Sequence, residues 1–268
     1  MTRRFAWRDI FAGAGAALVA CVLFLVVLAP ATLLDAGLRH ATEGRLRLAQ
    51  AHGTLWSGAG LLEIRDRSGH AVGKELSWSL QPRALWRGHL DFAVAVDHAE
   101  ERFPLRFSLH GVELSDADFS LPASVLGVAV PRMAPLGPRG ELVLRIAKFS
   151  RVDAALSADA VVTWKDAGSA VTTVAPLGTY ELRFRSVADA LNVTLHTLSG
   201  PLRLDGKGSW RGSGPPALAA TARVDARHRP QLAPLLRLIA VERGDGDFDL
   251  QFGSPLSSGL PRARQEKP

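Results

Sequence analysis

Hydrophobic positions along the chain follow two rhythms, and the change between them falls near residue 53. From Ile10 to Leu34 no residue carries a formal charge, and the centre runs Leu18-Val19-Ala20-Cys21-Val22-Leu23-Phe24-Leu25-Val26-Val27-Leu28 without a polar break. At about 1.5 Å per residue, Ile10 to Leu28 alone covers roughly 28 Å, close to the ~30 Å of bilayer hydrocarbon. Residues 10–34 are therefore read as a transmembrane helix, with Pro30 at its exit. Residues 35–52 follow as a juxtamembrane helical linker, because Leu38, Ala41, Arg45, Leu46 and Ala49 recur at spacings that suit a short amphipathic helix.

Beyond Gly53 apolar and polar residues alternate, the period of a strand with one buried face. Such segments run from Leu61 to Ile64, from near Ala71 to Leu80, from Leu90 to Val96 and from Leu105 to Leu109. In the second half they run from Glu141 to Ile146, Ala160 to Trp164, Leu177 to Phe184 and Leu191 to Leu195, then Leu202 to Leu204, Ala220 to Val224 and Phe248 to Phe252. Asp66-Arg-Ser-Gly69 and Gln81 to Gly88 are links too short for parallel crossovers, so the strands are antiparallel. Asp205-Gly-Lys-Gly208 reads as a further hairpin turn, and Glu242 to Asp247 as a turn before the last strand. Leu121 to Val130 holds one helical turn. Arg229 to Ile239, opened by prolines, places Leu232, Leu235, Leu236 and Ile239 on one helical face.

The fold class is thus mainly β: a single N-terminal transmembrane helix, then an antiparallel β-sheet domain over 53–253 with one or two short helices. Residues 254–268, rich in Pro, Ser, Gly and charge, read as a disordered tail.

Charge sets orientation. Arg3, Arg4 and Arg8 precede the span, so 1–9 stay in the cytoplasm and everything after Leu34 is exported across the membrane. Two processing alternatives compete with the anchor. Ala29-Pro30-Ala31 imitates a signal-peptidase site, but the apolar run exceeds the ~7 to 15 residues of a signal-peptide core. Leu18-Val19-Ala20-Cys21 imitates a lipobox, but strongly apolar residues continue after Cys21. Across 268 residues, 32 Lys and Arg are interleaved with 26 Asp and Glu, a diffuse pattern that argues against a nucleic-acid partner. Cys21 is the chain's one cysteine, which excludes intrachain disulfides and cysteine-based metal sites.

Motifs for chemistry are missing. There is no Gly-x-Ser-x-Gly elbow, and Gly206-Lys207 continues to Gly208 rather than Ser or Thr, with Pro201 where a P-loop has its first glycine. His40, His52, His70, His89, His98, His110, His196 and His228 stand singly, without paired metal-ligand spacing. From Asp245, the sixth and twelfth places of a calcium loop hold Leu250 and Leu256. No catalytic, cofactor-binding or metal-ligating residue is assigned. Tryptophans between glycines recur at Gly53-Thr-Leu-Trp56-Ser-Gly58 and Gly208-Ser-Trp210-Arg-Gly212, and the rings of Trp56, Trp164 and Trp210 are expected in the sheet core.

These tryptophan motifs, with Trp164-Lys-Asp-Ala167, Pro176-Leu177-Gly178-Thr-Tyr180 and Gly200-Pro201-Leu202-Arg-Leu-Asp-Gly206, resemble the type II secretion system protein N family (general secretion pathway protein N). The resemblance covers most of Ile10 to Phe252. It implies an accessory component in the bacterial inner membrane, its C-terminal domain facing the periplasm, of the pathway that exports folded proteins through an outer-membrane secretin, with no catalytic residues. The partners it implies are inner-membrane platform proteins or the secretin. A more distant similarity to AsmA-like proteins implies that the antiparallel sheet is curved into a groove or an open barrel, and implies the alternative function, a lipid-handling or envelope-homeostasis protein with an apolar β groove. A periplasmic hydrolase is a third reading, without a residue pair to support it.

Overall fold

The computed structural model describes residues 17–65, 71–97, 102–153, 155–188, 190–211, 217–225, 227–244 and 247–252. The chain divides into two compact units, one up to Ser108 and one from Leu109. Both are mainly antiparallel β.

The first unit contains helix α1 (17–27), α2 (Thr32–Ala41), β1 (Leu46–Gly53), β2 (Ser57–Arg65), β3 (Ala71–Gln81), a 3₁₀ turn (Pro82–Arg87), β4 (Leu90–Val96) and β5 (Phe103–Ser108). The strands pair in chain order. Register puts Leu48, Leu62, Ile64, Leu76, Trp78, Leu80, Phe92, Val94, Phe103 and Leu105 on one face. Ala59, Glu63, Glu75, Ser77, Asp91 and Arg106 fall on the other. The alternation in sequence has become one apolar and one polar surface.

Two expectations at the N-terminal side need correction. The apolar helix ends at Val27, not Leu34: Ala29 and Ala31 are buried, Pro30 bridges Thr54, and α2 starts afresh at Thr32. The helical linker over 35–52 is helical only through Ala41. Glu43 and Gly44 take positive φ there, which a right-handed helix does not accommodate, and Leu46 begins the edge strand β1. Among the described residues no helix is long and apolar enough to cross a membrane. The opening of the apolar stretch, the Asp66–Gly69 link and the expected tail all lie outside the described residues.

The second unit contains β6 (Gly111–Pro122), α3 (Val125–Ala129), a 3₁₀ turn (Pro131–Leu136), β7 (Pro138–Val152), β8 (Ala155–Ser169), β9 (Gly178–Val187) and β10 (Ala190–Ser199). It continues through β11 (Leu202–Arg211), β12 (Ala217–Val224), α4 (Arg229–Ile239), β13 (Val241–Gly244) and β14 (Asp247–Phe252). Strands neighbour one another in chain order until β12, beside which lies β14 and then β13 at the edge. Helix α4 lays Leu232, Leu235 and Leu236 on Tyr180, Leu195, Leu202, Ala222, Phe248 and Leu250, and this is the unit's core. Leu232 and Leu236 have no exposed surface at all.

Three strand assignments change here. Strand β6 has no counterpart in the expected segments. Asp205–Gly208 is not a turn but the middle of β11, where Gly206 sits between Leu195 of β10 and Ala220 of β12. The residues from Glu242 belong to a hairpin, since β13 pairs with β14.

Candidate functional site

The motif residues gather at two places. In the first unit, Gly53 to Gly58 forms the turn between β1 and β2, and this turn grips the end of α1. The Trp56 indole N–H donates to the Val26 carbonyl at 2.8 Å, one of the helix-end carbonyls that lack a partner within the helix. The Leu55 N–H donates to the Ala29 carbonyl at 2.7 Å and the Ala31 N–H to the Gly53 carbonyl at 3.1 Å. Behind the turn, Trp78 is buried and donates its indole N–H to the Leu55 carbonyl at 3.1 Å. Gly58 has to be small: a Cβ there would lie 2.7 Å from the Trp78 ring and 2.5 Å from the His52 carbonyl oxygen.

Helix α2 then covers the open edge of β1. The Asp35 carboxylate accepts the Leu48 N–H at 2.8 Å and an Arg39 guanidinium N–H at 2.5 Å, and Thr42 Oγ1 accepts the Leu46 N–H at 3.0 Å. Outward-facing strand donors are thereby satisfied by side chains rather than left to pair with another chain. Burial works against the charge on Asp35, yet the hydrogen bonds from Arg39 and Leu48, with the charges of Arg39 and Arg47, hold its carboxyl below the usual carboxylate range. Sequence reasoning missed Trp78, Asp35 and Thr42 as members of this junction. The Asp35–Arg39 spacing of four, which puts both on one helical face, was the available signal.

The second place is in the second unit, where Pro176, Leu177, Gly178 and Tyr180 at the start of β9 meet Gly200, Pro201 and Leu202 between β10 and β11. Leu177 N–H donates to the Ala167 carbonyl at 2.6 Å, and Leu202 N–H to the Leu177 carbonyl at 3.1 Å. The Tyr180 hydroxyl donates to the Leu202 carbonyl at 3.0 Å, and burial pushes that phenol well above its ordinary range. At Gly200, with φ +121°, a Cβ would fall 2.3 Å from Gly178 Cα, so two loop backbones cross here with no room for a side chain. Trp164 meets Tyr180 edge-on at 6.0 Å and donates its indole N–H to the Arg139 carbonyl at 2.8 Å. Gly206 and Trp210 lie further along β11, apart from this knot. The rings of Trp56, Trp164 and Trp210 are half-buried rather than enclosed in the core, and Trp210 Nε1 is buried with no partner among the described residues.

The remaining polar chemistry is spread over surfaces. On the polar face of the second unit run ion pairs Arg145–Asp118, Arg183–Glu181 and Arg223–Asp247, whose arginines are all solvent-exposed and which are each of small energetic weight. On its other face, Phe119, Leu144, Val162, Leu182, Phe184 and Val193 stay half-buried. A cavity of about 350 Å³ on the first unit is lined by small and mixed residues, among them His52, Ala59, Glu75, Ser77 and Ala95. No cluster of three metal-capable side chains occurs among the described residues.

The fold and its motif residues define an antiparallel β protein in which those residues brace turns, a helix end and a helix-covered core. The model of the family described as type II secretion system (T2SS), protein N, matches residues 44–251, and the chain belongs to that family. It is accordingly a component of a cell-envelope secretion system, in a family not known as enzymes. No curated protein and no solved structure matches the chain. The matched segment begins after α2, so the contacts of Trp56, Leu55, Leu46 and Leu48 are where the family's domain joins the N-terminal helices.

Proposed function

We propose that the chain is a single-pass inner-membrane component of the type II secretion pathway, with its N-terminus in the cytoplasm and its β domain in the periplasm, acting by docking and performing no chemistry. The observation that carries this reading is the family match over residues 44–251. The anchor is supported by α1, on which Leu18, Leu23, Phe24, Leu25 and Val27 are all more than half exposed, an arrangement stable in lipid and not in water. Residues 17–27 extend about 16 Å at helical rise, roughly half the bilayer hydrocarbon, and the uncharged stretch starts seven residues earlier at Ile10. The docking partners are inner-membrane platform proteins or the outer-membrane secretin.

A second reading is favoured by a separate observation. The half-buried row from Phe119 to Val193 on the second unit is apolar surface of the kind that takes an acyl chain, which supports a lipid-handling role. Deletion of the gene separates the two. The docking reading requires that type II substrates accumulate inside the cell and that the full chain restores their release. Normal secretion, together with phospholipid copurifying with the protein, supports lipid handling and removes docking.

A further inference from the structure

In the first unit, β3 runs antiparallel to β2, so the end of β3 lies beside the start of β2. Ser79 pairs with Ser57, and the Leu80 N–H donates to the Trp56 carbonyl at 2.6 Å. That is the end of the sheet at which Trp56 and Leu55 hold the end of α1. The 3₁₀ turn Pro82–Arg87 leaves β3 at this same end, about two strand spacings, roughly 10 Å, from the β1–β2 turn. Ala84 is buried and pins the turn, whereas Leu85 is 48 % exposed and Trp86 is 95 % exposed. A tryptophan so exposed on a rigid turn costs free energy in water unless something covers it.

The charges around it are of one kind. From Pro82 to His89 there is no acid, and Arg83 and Arg87 flank the two apolar side chains. The next carboxylate in the sequence, Asp91, is held by Arg106 at 2.8 and 3.1 Å and faces His89 at 3.7 Å. The hydrogen bonds and charge of Arg106 outweigh Asp91's burial and, with the charges of His89 and Arg87, keep its carboxyl below the usual range. Apolar Leu and Trp side chains between arginines match the headgroup layer of a bilayer. The ring buries its carbon edge among acyl chains while guanidiniums meet phosphates.

We propose that the Pro82–Arg87 turn is a second membrane contact, inserting Leu85 and Trp86 into the periplasmic leaflet with Arg83 and Arg87 on anionic phospholipid headgroups. This rests on the anchored reading of α1. Because Trp56 and Leu55 fix the helix to the sheet, the bilayer surface is what this end of the unit meets first, and tethering raises the effective concentration of lipid at the turn. Together α1 and the turn hold the first unit at two points, which sets its tilt on the membrane instead of leaving it to swing on a linker.

The test uses the full chain in vesicles of zwitterionic and anionic phospholipid, with Cys21→Ser and a single fluorophore at Trp86→Cys. A matching protein carries the label at Glu43→Cys, at the opposite end of β1. The expected result is a blue-shifted label at position 86 that loses most of its emission to acyl-chain quenchers, while the label at 43 is unaffected. Arg83→Gln with Arg87→Gln should reduce that quenching and abolish its dependence on anionic lipid. An unquenched label at 86 on protein that floats with the vesicles overturns the turn contact and leaves the anchor standing. Protein that does not float overturns both. A label at 86 unquenched by lipid but shielded in intact cells assigns the turn to a protein partner, and the proposal fails.

Discussion

Tyr180 is the chain's one tyrosine, which makes its environment directly readable. Its hydroxyl is buried against the Leu202 carbonyl, and burial raises its pKa. A raised folded-state pKa contributes stability that is fully present below the ordinary tyrosine value of about 10 and is lost as pH rises toward the folded value. In the folded protein, absorbance at 295 nm should therefore show no phenolate near pH 10, and ionisation should appear together with unfolding. Tyr180→Phe should cost about 1 to 3 kcal/mol in urea unfolding, because the Leu202 carbonyl loses its buried donor. The tryptophans differ among themselves for the same reason. Trp78→Ala, at a ring 5 % exposed, should cost about 3 to 5 kcal/mol, and Trp164→Ala, at a half-buried ring, distinctly less. Equal losses in denaturant midpoint for the two variants would contradict the burial described here.

At the scale of elements, the α2–β1 seam depends on pH through Asp35. Asp35 has a lowered folded-state pKa, so its contribution is present above the ordinary carboxylate value of about 4 and is lost as pH falls through the lower folded value. Asp35→Ala should speed amide exchange at Leu48 at neutral pH while leaving β9 to β12 unchanged, and should remove the acid dependence of α2 protection in the wild type. Exchange at Leu48 unaltered by the substitution would mean that the carboxylate does not hold the edge. The elements themselves were legible where the period-2 pattern was unbroken, as in Leu90 to Val96. In β6 the pattern changes parity, from Val112 and Leu114 to Ala117, Phe119 and Leu121, because Asp116 takes a left-handed φ of 50° inside the strand. Alternation read along the sequence loses such a strand. Glycines misled in β11, where Gly206 and Gly208 look like a turn but face a neighbouring strand too closely for side chains. Of the site, the motif residues were visible and their purpose was not. That Trp56 caps a helix thirty residues earlier, or that Gly200 crosses Gly178, depends on tertiary placement that no local spacing encodes.

For the whole molecule, family membership and an exposed apolar helix support the proposed role, that of a periplasmic docking module held at the inner membrane within the type II secretion system. Docking in this proposal uses the polar face of the second unit, where Arg203 and Ala219 are exposed. The most direct measurement is photo-crosslinking in living cells from positions 203 and 219 of the full-length chain, with secretion of type II substrates followed in the same strain. The account predicts a discrete adduct containing a platform protein or the secretin in cells that secrete. Active secretion with no adduct to any secretion component from either position would contradict it.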